Sequence, residues 1–281
     1  MTLFDRTTLE CSKVITNRYS TSFSLGIRTL DKKYRDPIYS IYGFVRIADE
    51  IVDTFHDHDK EALLKRFEDE TYLAIDEKIS LNPVLHSFQR VINQYHIEKE
   101  LINAFLKSMK MDLFKNSYNE GGYKSYIYGS AEAVGLMCLR VFTNGDDQLY
   151  RELKEPARKL GAAFQKVNFL RDIRSDFYDR GRTYFPGIDF TRFKNIDKKA
   201  IEAEIQEDFN AAYQGISRLP KGVRKGVYLS YVYYLKLFEK IKKLSADSIL
   251  KERIRIPDAK KLILMVPILL KNNFTPVELS K

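Results

Sequence analysis

The sequence has no tryptophan, two cysteines, and only 13 glycines and 8 prolines in 281 residues. So little turn chemistry argues against a β-sandwich or β-barrel, whose many reversals need those residues. Cys11 and Cys138 are far apart and match no metal-ligand spacing, so reduced thiols in or near a core, and a cytosolic setting, are expected. The opening MTLFDRTTLECSK is charged from its start and has no apolar h-region, so no signal peptide is expected. The most apolar run, LILMVPILL at 262–270, is too short to cross a bilayer and contains a proline. Core packing accounts for it; a lipid-facing patch is the alternative. There is no low-complexity tract, short-period repeat or stretch with linker composition.

What is present is an ordinary globular balance, 44% apolar and 30% charged, in a chain long enough to bury a substantial core. The net charge of +9 suits anionic partners such as diphosphates, nucleic acid or an acidic membrane surface. No nucleic-acid module is visible and the basic residues are interspersed with acidic ones, so nucleic acid is not expected. Apolar spacing is helical nearly throughout, with no sustained period-two alternation. It predicts helices near 5–19, 33–54, 59–77, 82–93, 97–113, 122–143, 146–178, 197–217, 220–245 and 257–271. Breaks fall at HDHD (56–59), SLNP (80–83), TNGDD (143–147), RGRTYFPG (180–187) and LPKG (219–222). One all-α domain over 1–281 is the simplest account.

Two of these helices carry polar stripes. In RIADEIVD (46–53), Asp49 and Asp53 are four apart, about 6 Å along the axis and about 40° round it, so both carboxylates share a face. Tyr42 and Arg46 extend that face upstream. Like charges so placed weaken a helix by a few tenths of a kcal/mol unless a cation offsets them. The second stripe is Gln165, Asn168, Asp172, Asp176 and Asp179, set among Phe164, Val167, Phe169, Leu170 and Ile173. One stripe alone reads as a solvated face. Two, each flanked by apolar residues, point to facing helices that line a polar cavity. Carboxylates there repel, and burial raises their pKa values unless a cation sits among them. Hard oxygen donors without Cys or His select Mg²⁺ or Mn²⁺, and magnesium completes its shell with water and phosphate oxygens. The pattern is that of a diphosphate bridged by Mg²⁺. Arg46, Arg171, Arg180 and Arg182 are candidates to hold the anion through bidentate guanidinium contacts, with a surface ion pair as the competing account, an even one for Arg171. Phe23, Tyr42, Phe44, Tyr126, Tyr128 and Tyr234 lie in segments that border such a site. Their faces could stabilise a carbocation, although core packing explains each one taken alone.

The same residues resemble the squalene/phytoene synthases. YSTSFSLG (19–26) is similar to the family's N-terminal Ser-x-Ser-Phe segment, and YSIYGFVRIADEIVD (39–53) resembles its first aspartate-rich motif. MKMDLFKNSY (109–118) and YIYGSAEAVGLM (126–137) resemble the two central segments. FQKVNFLRDIRSDFYDRGRTYFP (164–186) resembles the second aspartate-rich signature, and YLKLFEKIKKL (234–244) the C-terminal helix. The whole is most like bacterial phytoene synthases. One departure stands out: the usual Val-Ala-Gly of the central segment reads Ser130-Ala131-Glu132, so Glu132 either points away from the site or reshapes its wall.

The resemblance implies an all-α isoprenoid-synthase fold around a central cavity, and head-to-head condensation of two allylic prenyl diphosphates through a cyclopropyl diphosphate. By position it implies that Asp49, Asp53, Asp172 and Asp176, with Asn168, bind Mg²⁺ (or Mn²⁺) and the diphosphates. Ser20, Ser22, Arg46, Gln165, Asn168 and Tyr234 would contact phosphate or metal-bound water, beside the candidate diphosphate-binding Arg171 and Arg182, and Phe23 and Tyr42 would cap the reacting carbons. Asp112 either faces the cavity or packs structurally. Proton loss from a C40 intermediate would give phytoene with no NADPH. The C15 alternatives are dehydrosqualene and, with hydride, squalene. A non-catalytic relative should have lost the aspartates. A metal phosphohydrolase should show His-Asp ligand pairs, and HDHD at 56–59 reads instead as a solvated turn. Apolar substrate and product imply peripheral membrane contact on the cytoplasmic face, while the oligomeric state is not written in the sequence.

Overall fold

The computed structural model describes residues 1–251 and 254, and among them twelve α-helices and no strand. The first half of the chain forms α1 (Leu3–Tyr19), α2 (Thr21–Arg28), α3 (Lys32–Asp53), α4 (Lys60–Glu77), α5 (Pro83–Tyr95) and α6 (Lys99–Phe114). The second half forms α7 (Glu120–Ile127), α8 (Ala133–Thr143), α9 (Asp147–Arg174), α10 (Asn195–Ile216), α11 (Lys221–Lys242) and α12 (Ala246–Ile249). Side-chain caps fix many starts, because the first amides of a helix have no partner within it. Thr2 and Asp5 form a capping box on α1, Asp59 caps α4, Asn82 caps α5 ahead of Pro83, and Asp146 caps α9. Helices α4, α5 and α8 end at Lys78, His96 and Asn144, each in the left-handed region with φ of 60°, 51° and 49°.

The predicted helices agree with these to within a few residues, with three differences. Helix α2 is absent from the prediction because eight residues give too few turns for a clear period. The four-residue α12 escapes for the same reason. Third, two predicted helices do not run uninterrupted. A π-helical turn over Tyr128–Glu132 joins α7 to α8, and another over Ser175–Asp179 extends α9. Apolar spacing barely registers so short a change of winding. The expected helix at 257–271 and the run LILMVPILL lie outside the described residues.

The first π-turn presses hard on α6: a Cβ added at Gly129 would sit 2.2 Å from the Ala104 carbonyl oxygen, so only glycine fits there. Phe44 of α3 is fully buried, stacked on Phe88 at 3.8 Å and packed against Phe67 and Phe105. Core packing therefore accounts for Phe44, and it does not border the site.

The α9–α10 contact holds a buried charge cluster. Asp208, 2% exposed, accepts from Lys166 Nζ at 2.5 Å and from Lys159 Nζ at 3.0 Å, and Lys166 also pairs with Glu204 at 2.5 Å. Removing one partner strands a buried charge. Asp208→Ala is expected to cost about 3–5 kcal/mol in urea unfolding, and Asp208→Leu combined with Lys166→Met should recover much of that. A loss below about 1 kcal/mol would show that the cluster is solvated.

Candidate active site

The aspartate stripe of α3 is tied to the end of α9 by arginines. Gly181 at φ +65° lets the chain reverse after the second π-turn, so that Arg180 and Arg182 both point back. Arg182 Nη1 donates to Asp53 Oδ1 at 3.1 Å, and Nη2 donates to the Asp112 carbonyl at 2.9 Å. Arg180 donates to Asp176 Oδ1 at 2.9 Å and lies 3.6 Å from Asp53 Oδ2. The two DxxxD stripes thus face one another with one guanidinium between them. The Arg182 amide also donates to the Asp176 carbonyl at 2.7 Å, and Thr183 bonds Asn116 at 2.7 Å, which fastens this segment to the end of α6.

Further up α3, Arg46 donates to Asp49 at 2.6 Å, pairs with Glu50, and lies under the Tyr19 ring at 4.3 Å. On the second stripe Arg171 pairs with its neighbour Asp172. That pair is half-buried, with 22% and 16% of the two side chains exposed. Asn168 Nδ2 donates to Gln165 Oε1 at 3.4 Å, and Gln165 Nε2 to Ser130 Oγ at 3.3 Å. Tyr234 is buried, stacked on Phe164 at 4.0 Å, and lies beside Arg171 and Asn168. Ser20 caps α2 by accepting the Phe23 amide at 3.2 Å, and the Phe23 and Tyr42 rings meet at 5.2 Å. Ser22 falls on α2, but its side chain lies outside what is described.

Charge around the two stripes is under-compensated. Burial, then repulsion from Asp53, pushes Asp49 up to about 6 despite Arg46. Burial, then Asp172, raises Asp176 to about 6 against the pull of Arg180. Burial raises Asp112 to about 7, with Arg182 and the 2.8 Å hydrogen bond from Tyr126 opposing it. Asn168 Oδ1 and Asp112 Oδ1 are buried oxygens with no hydrogen-bond partner. Buried acceptors without donors, beside carboxylates that repel, make a donor set suited to a hard cation. Among the described residues no three acidic, His or Cys side chains converge on one point, because the guanidiniums stand between the carboxylates.

The structure corrects some sequence expectations and agrees with others. Asp179 is exposed, because the wider i→i+5 winding, closed by the Arg180 amide on Ser175 O at 3.1 Å, rotates it off the stripe. Glu132 points away from the cavity: Arg158 of α9 donates to it at 2.6 Å. Tyr128 lies by that same Arg158, at 5.6 Å. HDHD is an exposed turn in which Asp59 caps α4 and His56 meets Lys60 at 3.0 Å. Asp112 does face the first stripe, with Arg182 between it and Asp53. Glu50, Tyr118 and Tyr184 were missed. Tyr184 stacks on Phe169 at 4.0 Å and meets Tyr126 at 5.2 Å, which builds an aromatic wall behind Asp112. Its place inside RGRTYFP was the available signal.

A helical fold around paired aspartate stripes and interleaved arginines defines an all-α isoprenoid synthase. Comparison with known proteins agrees. The squalene/phytoene synthase profile matches residues 16–260, and the chain belongs to that family. It is 25% identical to a phytoene synthase of Arthrospira platensis, over 90% of each chain. It is 28% identical to a 4,4'-diapophytoene synthase of Staphylococcus haemolyticus, over 68% of this chain and 65% of that one. A crystal structure of a dehydrosqualene synthase superposes with a TM-score of 0.80 at 22% identity, covering 94% of this chain and 96% of that one. The protein is an enzyme, a head-to-head prenyltransferase.

Proposed function

We propose that the chain condenses two geranylgeranyl diphosphates, through a cyclopropyl diphosphate, to phytoene, and that it needs Mg²⁺ or Mn²⁺ but no NADPH. The observation that carries this reading is the opposition of the two stripes, with Arg180 reaching both Asp53 and Asp176. Likeness to the Arthrospira platensis phytoene synthase along nearly the whole chain supports the C20 substrate. The C15 reading, dehydrosqualene from farnesyl diphosphate, draws on the diapophytoene synthase likeness and is the runner-up.

In this reading Asp49, Asp53, Asp172 and Asp176, with Asn168, would hold the metal. When bound, Mg²⁺ neutralises charge developing on the departing diphosphate. Arg46, Arg171, Arg180 and Arg182 take the diphosphate oxygens, and Ser20, Ser22, Gln165 and Tyr234 complete the polar contacts. The first C–O bond breaks, and the second substrate's double bond attacks the allylic cation. Proton loss then closes the cyclopropane. Loss of the second diphosphate allows rearrangement, and a final proton loss leaves the central double bond. Phe23 and Tyr42 shield the cation from water and stabilise it through their faces. Product and substrate are lipids, so the protein works at the cytoplasmic face of a membrane by peripheral contact. Among the described residues no helix is long and apolar enough to cross one.

The test is to incubate the purified chain with geranylgeranyl or farnesyl diphosphate and Mg²⁺, without NADPH, and identify the extracted hydrocarbon. Phytoene from the C20 substrate, lost with EDTA and restored by Mg²⁺, is expected. A C30 product alone moves the reading to the runner-up, and no turnover of either substrate overturns both.

A further inference from the structure

One face of α6 is built unlike the face that serves the cavity. Lys107, Lys110, Met111 and Phe114 follow at spacings that keep them on one side of the helix, and Lys115 stands at its C-terminal end. Asp112 stands about 140° round from the centre of that stripe, at 100° per residue. The stripe and α7, through Ser125, bound an open cleft of about 320 Å³. Phe114 is 65% exposed at its end, an uncovered aromatic beside cationic groups. Lys110 is paired with Glu68 at 2.6 Å. Among the described residues Lys107 and Lys115 have no acidic partner, and both are exposed. An apolar ring flanked by unpaired ammonium groups on flexible stems suits a surface that is anionic outside and apolar just beneath.

We propose that this α6–α7 face docks the enzyme on an anionic lipid bilayer, with Phe114 entering the headgroup boundary and Lys107 and Lys115 meeting lipid phosphates. Charge complementarity selects that occupant. A protein partner would require acidic groups in matching places, whereas a bilayer supplies anions at any spacing. The position also serves the chemistry. Phe114 lies two residues beyond Asp112, and the Asn116 carbonyl that follows accepts the Thr183 amide next to Arg182. Docking here sets the membrane beside the backbone that anchors the Arg182 segment. The inference rests on the reading that substrate and product are prenyl lipids.

The experiment is co-sedimentation of the full chain with phosphatidylcholine vesicles, with and without phosphatidylglycerol, alongside hydrocarbon synthesis in detergent micelles. Wild type should bind the anionic vesicles and largely ignore the neutral ones. Lys107→Gln and Lys115→Gln should each weaken binding roughly 5-fold. Phe114→Ser should weaken it roughly 10-fold or more, from the lost burial of one aromatic side chain. All three variants should keep wild-type synthesis in micelles, since none touches the cavity. Wild-type protein that ignores anionic lipid overturns the proposal, as do variants that sediment like wild type. Absent synthesis in micelles would instead count against the condensation reading, and the vesicle result would still decide this face.

Discussion

Asp53→Asn is expected to lower kcat/KM for prenyl diphosphate condensation about 10³-fold with no loss of melting temperature. The two halves of that expectation have different causes. Asp53 is the carboxylate that both Arg180 and Arg182 reach, at 3.6 and 3.1 Å, and it belongs to the stripe proposed to hold the metal. A metal acting as a Lewis acid is worth several kcal/mol of transition-state charge, and about 4 kcal/mol corresponds to 10³ in rate. Stability behaves otherwise, because the pairs that Asp53 gives up with Arg180 and Arg182 are offset by relief of its repulsion. Its charge raises both Asp49 and Asp176. Asparagine keeps the shape and removes that repulsion, so thermal unfolding should occur at or above the wild-type temperature. Activity within tenfold of wild type would remove Asp53 from the proposed machinery. A collapse in melting temperature would make it a structural residue.

Arg182→Ala is the second large effect, and here fold and function should fall together. The guanidinium is 11% exposed; it reaches Asp53 and the Asp112 carbonyl and lies 3.8 Å from Asp112 Oδ1. Its removal leaves two acidic groups without their main counter-charge. The expected cost is about 3 kcal/mol in urea unfolding, at the low end for a broken buried pair. Protonation of Asp112, already pushed up to about 7, relieves part of it. Activity should fall about 10²- to 10³-fold, because an anion contact and the seating of Asp53 go together. Arg182→Lys keeps the charge but not the fork, so it should recover stability more than rate. Equal recovery of both would reduce Arg182 to a simple counter-ion.

The parts of this site that could be read from the sequence are those with a period. Asp49 and Asp53 on α3, and Asn168 and Asp172 on α9, share faces because 3.6-residue winding holds through them, and Asp176 stays with them at the second residue of the π-turn. Asp179 was misplaced where that winding changes, one π-turn later. Tertiary facts left weaker traces. Nothing in the spacing says that Glu132 would find Arg158 on α9, or that Phe44 would stack on Phe88 while Phe23 met Tyr42. Asp112 could be read as a candidate, but not its partners, because Tyr126 and Arg182 are 14 and 70 residues away along the chain. Helix α2 was lost to its length, although its cap, Ser20, stood within a quoted motif.

Arg180 has a consequence beyond the pairs it makes. It is one side chain held in common by two motifs more than a hundred residues apart in sequence, so neither motif has a private state. Any ligand that draws Arg180 from Asp176 also changes what Asp53 feels. If the two stripes take the two diphosphates as proposed, reciprocity requires occupancy at the α3 stripe to alter affinity at the α9 stripe by the same factor. The two stripes would then behave as one thermodynamically linked unit, in which the first anion to arrive sets the terms for the second.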